Sequence, residues 1–234
     1  MEPIIFIRTK LQNRSNLKGA DIGCGGGRYD LLLLKHLPQL QLICGDLNEA
    51  MISETTCYLE GHGQKNFSTH CIDAADLQLP TGALDFVSTF NAIHHFEPVK
   101  FLNQAGRALI DGGYVFVYTR LKSQNMRNIW GRFFPGFVEK ENRLYDLLQI
   151  EAWSDKLESL RLEAIHFFKF KRALPLKQLL FQADKKHYST FSLYNEVDFD
   201  RALNRFKENI QRNFKNIERV QWSDENVMIV FCKN

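Results

Sequence analysis

The sequence predicts an α/β protein: a doubly wound, mostly parallel sheet of seven strands, with a helical insertion ahead of the last strand. Three observations carry this. Short, continuously apolar runs alternate with helical patterns through the first half of the chain, as strands buried on both faces do. A turn with four glycines in five positions, within GADIGCGGGRYD at 19–30, joins the first such run to the first helical pattern. Acidic or amide residues recur at the ends of successive runs, where an open α/β sheet holds its ligands.

In chain order, strands are expected at 19–23, 40–46 (LQLICGD), 66–72 (NFSTHCI), 84–90 (LDFVSTF) and 112–119 (GGYVFVYT), with helices at 28–36, 49–60 and 97–109. After Arg120 the beat changes. Residues 121–163 read as helical and aromatic-rich, 164–174 (AIHFFKFKRAL) as a strand, 199–213 as an amphipathic helix and 226–233 (NVMIVFCK) as the closing strand. No Pro/Gly/Ser linker divides the chain, so one domain is expected over 1–234. Within it, 18–119 would be the ligand-binding half, and 121–163 and 175–215 helical elaborations.

With 234 residues, 44% of them apolar and 24% charged, the composition is that of a globular protein. No apolar run reaches the ~18 to 20 residues needed to span a bilayer. The start, MEPIIFIRTK, has no secretory pattern, so a cytoplasmic protein is expected. Cys24, Cys44, Cys57, Cys71 and Cys232 are scattered without a CxxC pair, which speaks against a disulfide framework or a metal site. The net charge of +3 conceals an asymmetry: residues 1–119 hold 9 Lys/Arg against 12 Asp/Glu, and 120–234 hold 21 against 15. The basic residues are interspersed rather than massed and no RNA-binding module is appended, which argues against a nucleic-acid partner.

The glycine turn narrows the chemistry. A dinucleotide fingerprint GxGxxG needs a third glycine where this chain has Arg28, which disfavours an NAD(P)-dependent oxidoreductase. The pattern is instead GxGxG through Gly23, Gly25 and Gly27, preceded by Asp21. Asp46 ends the second run, 19 residues after Gly27, where a carboxylate can accept both hydroxyls of a ribose. Asp73 follows the third run, where a carboxylate can accept from an exocyclic amine. Asn91 and the pair His94 and His95 follow the fourth. Helix N-capping is the alternative use of the two acids.

The pieces ADIGCGGGRYD, GDLNEAMI, DAADLQLP, DFVSTFNAIHHF and GRALIDGGYVFV, in that order, resemble the class I S-adenosylmethionine-dependent methyltransferases. The likeness is to the small-molecule group that includes the ubiquinone and menaquinone enzymes, and it covers about 18–119. It implies a Rossmann-like methyltransferase fold and S-adenosyl-L-methionine as cofactor. It also implies that Asp21 helps hold the methionine amino group, that Gly23, Gly25 and Gly27 line the methionine backbone, and that Asp46 takes the ribose hydroxyls. Leu47 would border the adenine, Asp73 would take its amine with the Ala74 amide facing the ring, and Asn91 would lie beside the methionine end. Two departures stand out. Only 18 residues precede the glycine loop, fewer than the family usually carries, and the second half matches no substrate subgroup.

The acceptor should therefore be chosen after Arg120. Trp130, Phe133, Phe134 and Tyr145 are the candidate walls of an aromatic-lined pocket for a small molecule, with core packing as their other use. His94 and His95 are the candidates for a general base, which methyl transfer requires only when the acceptor nucleophile carries a proton; packing or substrate shaping is their alternative. A tRNA methyltransferase and a non-catalytic cofactor-binding regulator are the competing functions. The sequence specifies neither the acceptor nor an oligomeric state.

Overall fold

The structure is a computed structural model and describes residues 1–234. Its elements run α1 (Glu2–Lys10), β1 (Lys18–Ile22), α2 (Arg28–His36), β2 (Gln41–Asp46), α3 (Glu49–Gly61), β3 (Phe67–Cys71), β4 (Leu84–Phe90), α4 (Pro98–Ala108) and β5 (Leu109–Thr119). Then follow α5 (Lys122–Arg127), α6 (Ile129–Phe133), α7 (Phe137–Lys140), α8 (Leu147–Ser154), β6 (Leu160–Leu174), α9 (Leu176–Asp184), α10 (Glu196–Asn213) and β7 (Val220–Lys233). The strands form one seven-stranded sheet in the order β3-β2-β1-β4-β5-β7-β6. Neighbours from β3 to β5 are parallel, and β7 enters antiparallel to β5, Thr119 facing Val227 and Tyr114 facing Cys232.

Three strands begin three or more residues earlier than the apolar pattern suggests. β5 starts at Leu109 because Gly112, with φ of +70°, lets the strand continue through a kink where the sequence reads as a turn. β6 starts at Leu160, so the expected helical stretch 121–163 ends at Ser154. β7 starts at Val220, its first half carrying polar residues that serve ion pairs rather than the core.

The chain divides into two compact units. The first comprises Met1–Thr119, Leu147–Phe168 and Val227–Asn234. Its core is built on Phe86, Phe101, Phe116 and Phe231, all fully buried, with Ile4, Ile7 and Leu33. The short segment ahead of the glycine loop is a packed helix: Phe6 stacks on His166 at 4.9 Å and Lys10 pairs with Glu163 at 2.6 Å. α4 buries one stripe, Phe101, Leu102, Ala105 and Ala108, on helical spacing.

The second unit comprises Arg120–Asp146 and Lys169–Asn226. The two expected elaborations thus contribute to one body, except that 147–163 belongs to the first unit. The second unit has a core of its own, gathering Trp130, Phe134, Phe137, Leu179, Phe191, Phe206 and Ile210. α10 supplies Phe199, Ala202, Phe206 and Ile210 from one face, and Asn195 caps it by accepting from the Asp198 N–H at 2.8 Å. On the β6–β7 ribbon, Asp224 and Glu225 are held by cations. Arg120 pairs with Asp224, Arg127 grips Glu225 at 2.6 and 2.9 Å, and Lys169 reaches Glu225 at 3.2 Å. Burial works to raise the Glu225 carboxyl, but hydrogen bonds from Arg127 and Lys169 together with their charges hold it below its ordinary value. The second unit carries 18 Lys/Arg against 11 Asp/Glu, a net of +7, and the first carries 12 against 16, a net of −4. No helix is long and apolar enough to cross a membrane.

Candidate active site

The glycine loop leaves β1 at Ile22 and is tied to its neighbour strand: the Gly23 and Cys24 N–H groups both donate to the Gly45 carbonyl, at 2.7 and 3.1 Å. Gly23, Gly25 and Gly27 all have positive φ, which lets the loop reverse tightly into α2. Two of them do different work. A Cβ on Gly23 would lie 2.5 Å from that of Ala92, so only glycine lets the loop approach the segment after β4. A Cβ on Gly25 would meet nothing within 4 Å. The backbone of Gly25 therefore faces open space, as a floor for a ligand would.

Asp46 is the last residue of β2 and is half-buried. One carboxylate oxygen accepts from the Gly25 N–H at 3.0 Å and the other from the Asn48 N–H at 2.9 Å. The cap of α3 is Asn48, which accepts from the Ala50 N–H, so the capping alternative for Asp46 is taken by its neighbour. Each Asp46 oxygen keeps acceptor capacity for a further donor. Leu47 beside it is 69% exposed, a large apolar side chain standing in solvent at the strand end. Asp73, two residues past β3, is exposed; it accepts from the Ala75 N–H at 2.8 Å and closes a turn onto Asp76 rather than capping a helix. Ala74 is buried.

Asp21 lies inside β1 and is 1% exposed. It faces Ser88 of β4 in register and accepts its hydroxyl at 2.7 Å, while its other oxygen has no partner. Asn91, immediately after β4, is held in the left-handed region at φ of +56°. Its N–H donates to the Tyr118 carbonyl at 2.7 Å, and its side-chain amide approaches the Tyr29 hydroxyl at 3.5 Å. His94 and His95 follow on a single 3-10 turn, Ile93–His95, with ring centroids 4.1 Å apart. The ends of β1, β2 and β4 are thus linked through the loop, Asp46 to Gly25 and Gly23 to Ala92.

Sequence reasoning passed over four residues here. Tyr29 stacks flat on Phe90 at 4.3 Å. The Thr55 hydroxyl, from α3, donates to the Gly25 carbonyl and braces the loop from below. Ser88 supports Asp21. Asp30, in the first turn of α2, is wholly buried, at a position where an acid commonly faces solvent and the helix dipole. Only Ser88 and Asp30 left a signal, being polar residues at positions where a buried strand and a core-facing helix call for apolar ones.

The aromatic candidates belong to the second unit, and two of them are corrected. Trp130 and Phe134 lie inside its core, Trp130 stacking on Phe206 at 4.9 Å and Phe134 approaching Phe191 at 5.1 Å. Fully enclosed by other rings, they cannot wall a pocket. Phe133 and Tyr145 stay half-buried, Phe133 edge-on to Phe214 at 5.4 Å. Residues 175–215 build the same core, to which they contribute Leu179, Ala183, Phe191, Phe206 and Ile210.

Residues 20–117 match a family model described as a methyltransferase domain. No curated protein matches the chain in sequence. Among solved structures, a protein from Anabaena variabilis described as a methyltransferase of an antibiotic biosynthesis pathway is similar at a TM-score of 0.72 and 19% identity, covering 97% of this chain and 96% of that one. The YcgJ protein of Bacillus subtilis is similar at 0.67 and 15%, covering 100% and 98%. A phosphoethanolamine N-methyltransferase of Haemonchus contortus, solved with phosphomonomethylethanolamine and S-adenosylhomocysteine, is similar at 0.62 and 16%, covering 100% of this chain and 52% of that one.

Proposed function

We propose that this chain, whose residues 20–117 match a methyltransferase domain, is a class I S-adenosylmethionine-dependent methyltransferase that transfers a methyl group to a small organic acceptor chosen by residues after Arg120. The observation that carries the reading is the open floor at Gly25 bordered by the Asp46 carboxylate, on a loop whose other glycine contacts are closed. The unpartnered oxygen of buried Asp21 fits the same cofactor, which presents an ammonium group at its methionine end.

When bound, S-adenosylmethionine supplies a methyl group already activated on a sulfonium. The chain's own task is then to orient and to exclude water. Gly23, Gly25 and Gly27 would let the methionine backbone lie against the loop, and Asp46 would accept the ribose hydroxyls with its remaining lone pairs. Leu47 and Ala74 would border the adenine, and Asp73 would accept from its amine. Asn91, fixed by its left-handed backbone and the Tyr118 carbonyl, would present its amide at the methionine end. Where the acceptor's nucleophile is protonated, His94 or His95 would take the proton. The five free thiols suit a reducing, cytoplasmic setting.

Titrating the protein by calorimetry with S-adenosylmethionine, S-adenosylhomocysteine, NAD and NADP in parallel tests the reading. Binding of the first two alone is expected; preference for a dinucleotide would overturn it. The net charge of +7 on the second unit favours one alternative acceptor class, an RNA. Filter binding of tRNA at two salt concentrations separates the two, because phosphate contacts give a steep salt dependence that a small neutral acceptor lacks.

A further inference from the structure

Beneath the glycine loop lies a pair of carboxylates that the proposed cofactor contacts leave unexplained. Asp21 is 1% exposed and one of its oxygens has no hydrogen-bond partner. Asp30 is 0% exposed, and neither of its oxygens has a partner in good hydrogen-bond geometry, the nearby donors being the Cys44 thiol and its own backbone N–H. A buried ionised carboxylate without a cation or strong donors is costly, and two that feel each other's charge are costlier still.

The surroundings supply no compensating cation. β1 contributes Asp21 itself, the loop Cys24, β2 Cys44 and Asp46, and β4 the Ser88 hydroxyl. Both thiols are pushed up by burial and by these acids, so they stay neutral. From α3, Thr55 spends its hydroxyl on the Gly25 carbonyl, and Glu54, near Gly26, is a further acid. α1 sends Arg8 to solvent and Lys10 to Glu163.

We infer that Asp21 and Asp30 together hold a proton in the protein without cofactor, and that binding of a cationic cofactor above the loop expels this proton to solvent. Asp30 is on this view a positioning residue: it sets the charge of Asp21 without itself touching the ligand. The inference rests on the cofactor reading above and deepens it, because it makes the site select for positive charge. Burial raises the Asp21 carboxyl well above its ordinary value, and Asp30 and then Asp46 add to this. Burial likewise pushes Asp30 up, to about 6. A ligand bearing both an ammonium and a sulfonium favours the ionised pair. The demethylated product has lost the sulfonium charge and favours it less, so proton release discriminates cofactor from product.

Calorimetry in two buffers of different protonation enthalpy at pH 6 to 7 counts the protons exchanged. The wild-type protein should release up to about one proton per S-adenosylmethionine bound and fewer per S-adenosylhomocysteine, the pair titrating as a unit. Asp30→Asn should lower the release by at least half while still binding cofactor. As a check that needs no variant, the infrared band of a protonated carboxyl in the wild-type protein should bleach on adding cofactor. Equal release by wild type and Asp30→Asn, or binding with neither release nor a bleached band, would overturn the inference and leave the cofactor reading intact. Absence of any binding would overturn both.

Discussion

At the scale of single residues, the glycine loop and the acids around it divide cleanly between shaping and charge. Gly25 sits at φ of +55° with open space above it. A β-branched side chain there costs about 1 to 2 kcal/mol in backbone strain and occupies the floor. Gly25→Val should therefore abolish cofactor binding by calorimetry while lowering the melting temperature only modestly. Asp46 has a double role, since it also holds the Gly25 N–H. Asp46→Ala removes the acceptors proposed for two ribose hydroxyls, at about 1.5 to 3 kcal/mol each before compensation, and frees the loop. Affinity should fall at least ~30-fold in a folded protein; unchanged affinity would place the ribose elsewhere. Asp30 governs a pH effect on stability. An acid whose folded value is raised binds its proton more tightly in the native state, so stability is lost as pH rises from its ordinary 3.8 through about 6. Denaturant melts should show the wild type losing stability across that window, more steeply than Asp30→Asn, in which only the buried Asp21 still contributes.

At the scale of elements, legibility in the sequence followed how each segment is buried. β1, β2, β4 and β5 are largely buried, so their apolar runs and the intervening helices are visible in the residues, while β3 at the sheet edge stays open to solvent; Asp46, Asp73 and Asn91 stand at or just past the strand ends. The first half of β7 was obscured because Asp224 and Glu225 answer to Arg120, Arg127 and Lys169 rather than to the core. Trp130 and Phe134 show the opposite difficulty. Aromatic composition announces burial, but a core and a pocket wall use the same rings, and only the packing of α10 against α6 decides between them. The ion network predicts a measurable weakness. Arg120 is largely buried against Asp224, and removing one partner of such a pair costs about 3 to 5 kcal/mol. Arg120→Ala should accelerate hydrogen exchange across 120–146 and 169–226, and leave residues 1–119 protected to a much greater degree.

At the scale of the whole molecule, the charge that composition gives as +3 is the remainder of two opposed fields, −4 and +7. A fold shared at under 20% identity with methyltransferases leaves the acceptor open; the positive unit is the part of this chain that would steer an anion. The sheet order has another consequence, in time rather than in space. β7 lies between β5 and β6 yet is made after both, so a nascent chain carries a gap in its sheet while more than half of the second unit is being translated. Until residues 227–231 emerge, each of them fully buried in the finished fold, the edge of β5 at Val115 and Val117 has no partner. Non-local pairing of this kind is slow and leaves apolar edges exposed to other chains. Ribosome-stalled chains that present residues up to 219 should be cleaved readily within 109–119 by a protease, whereas chains presenting 234 should resist; equal resistance would mean that the five parallel strands close on their own.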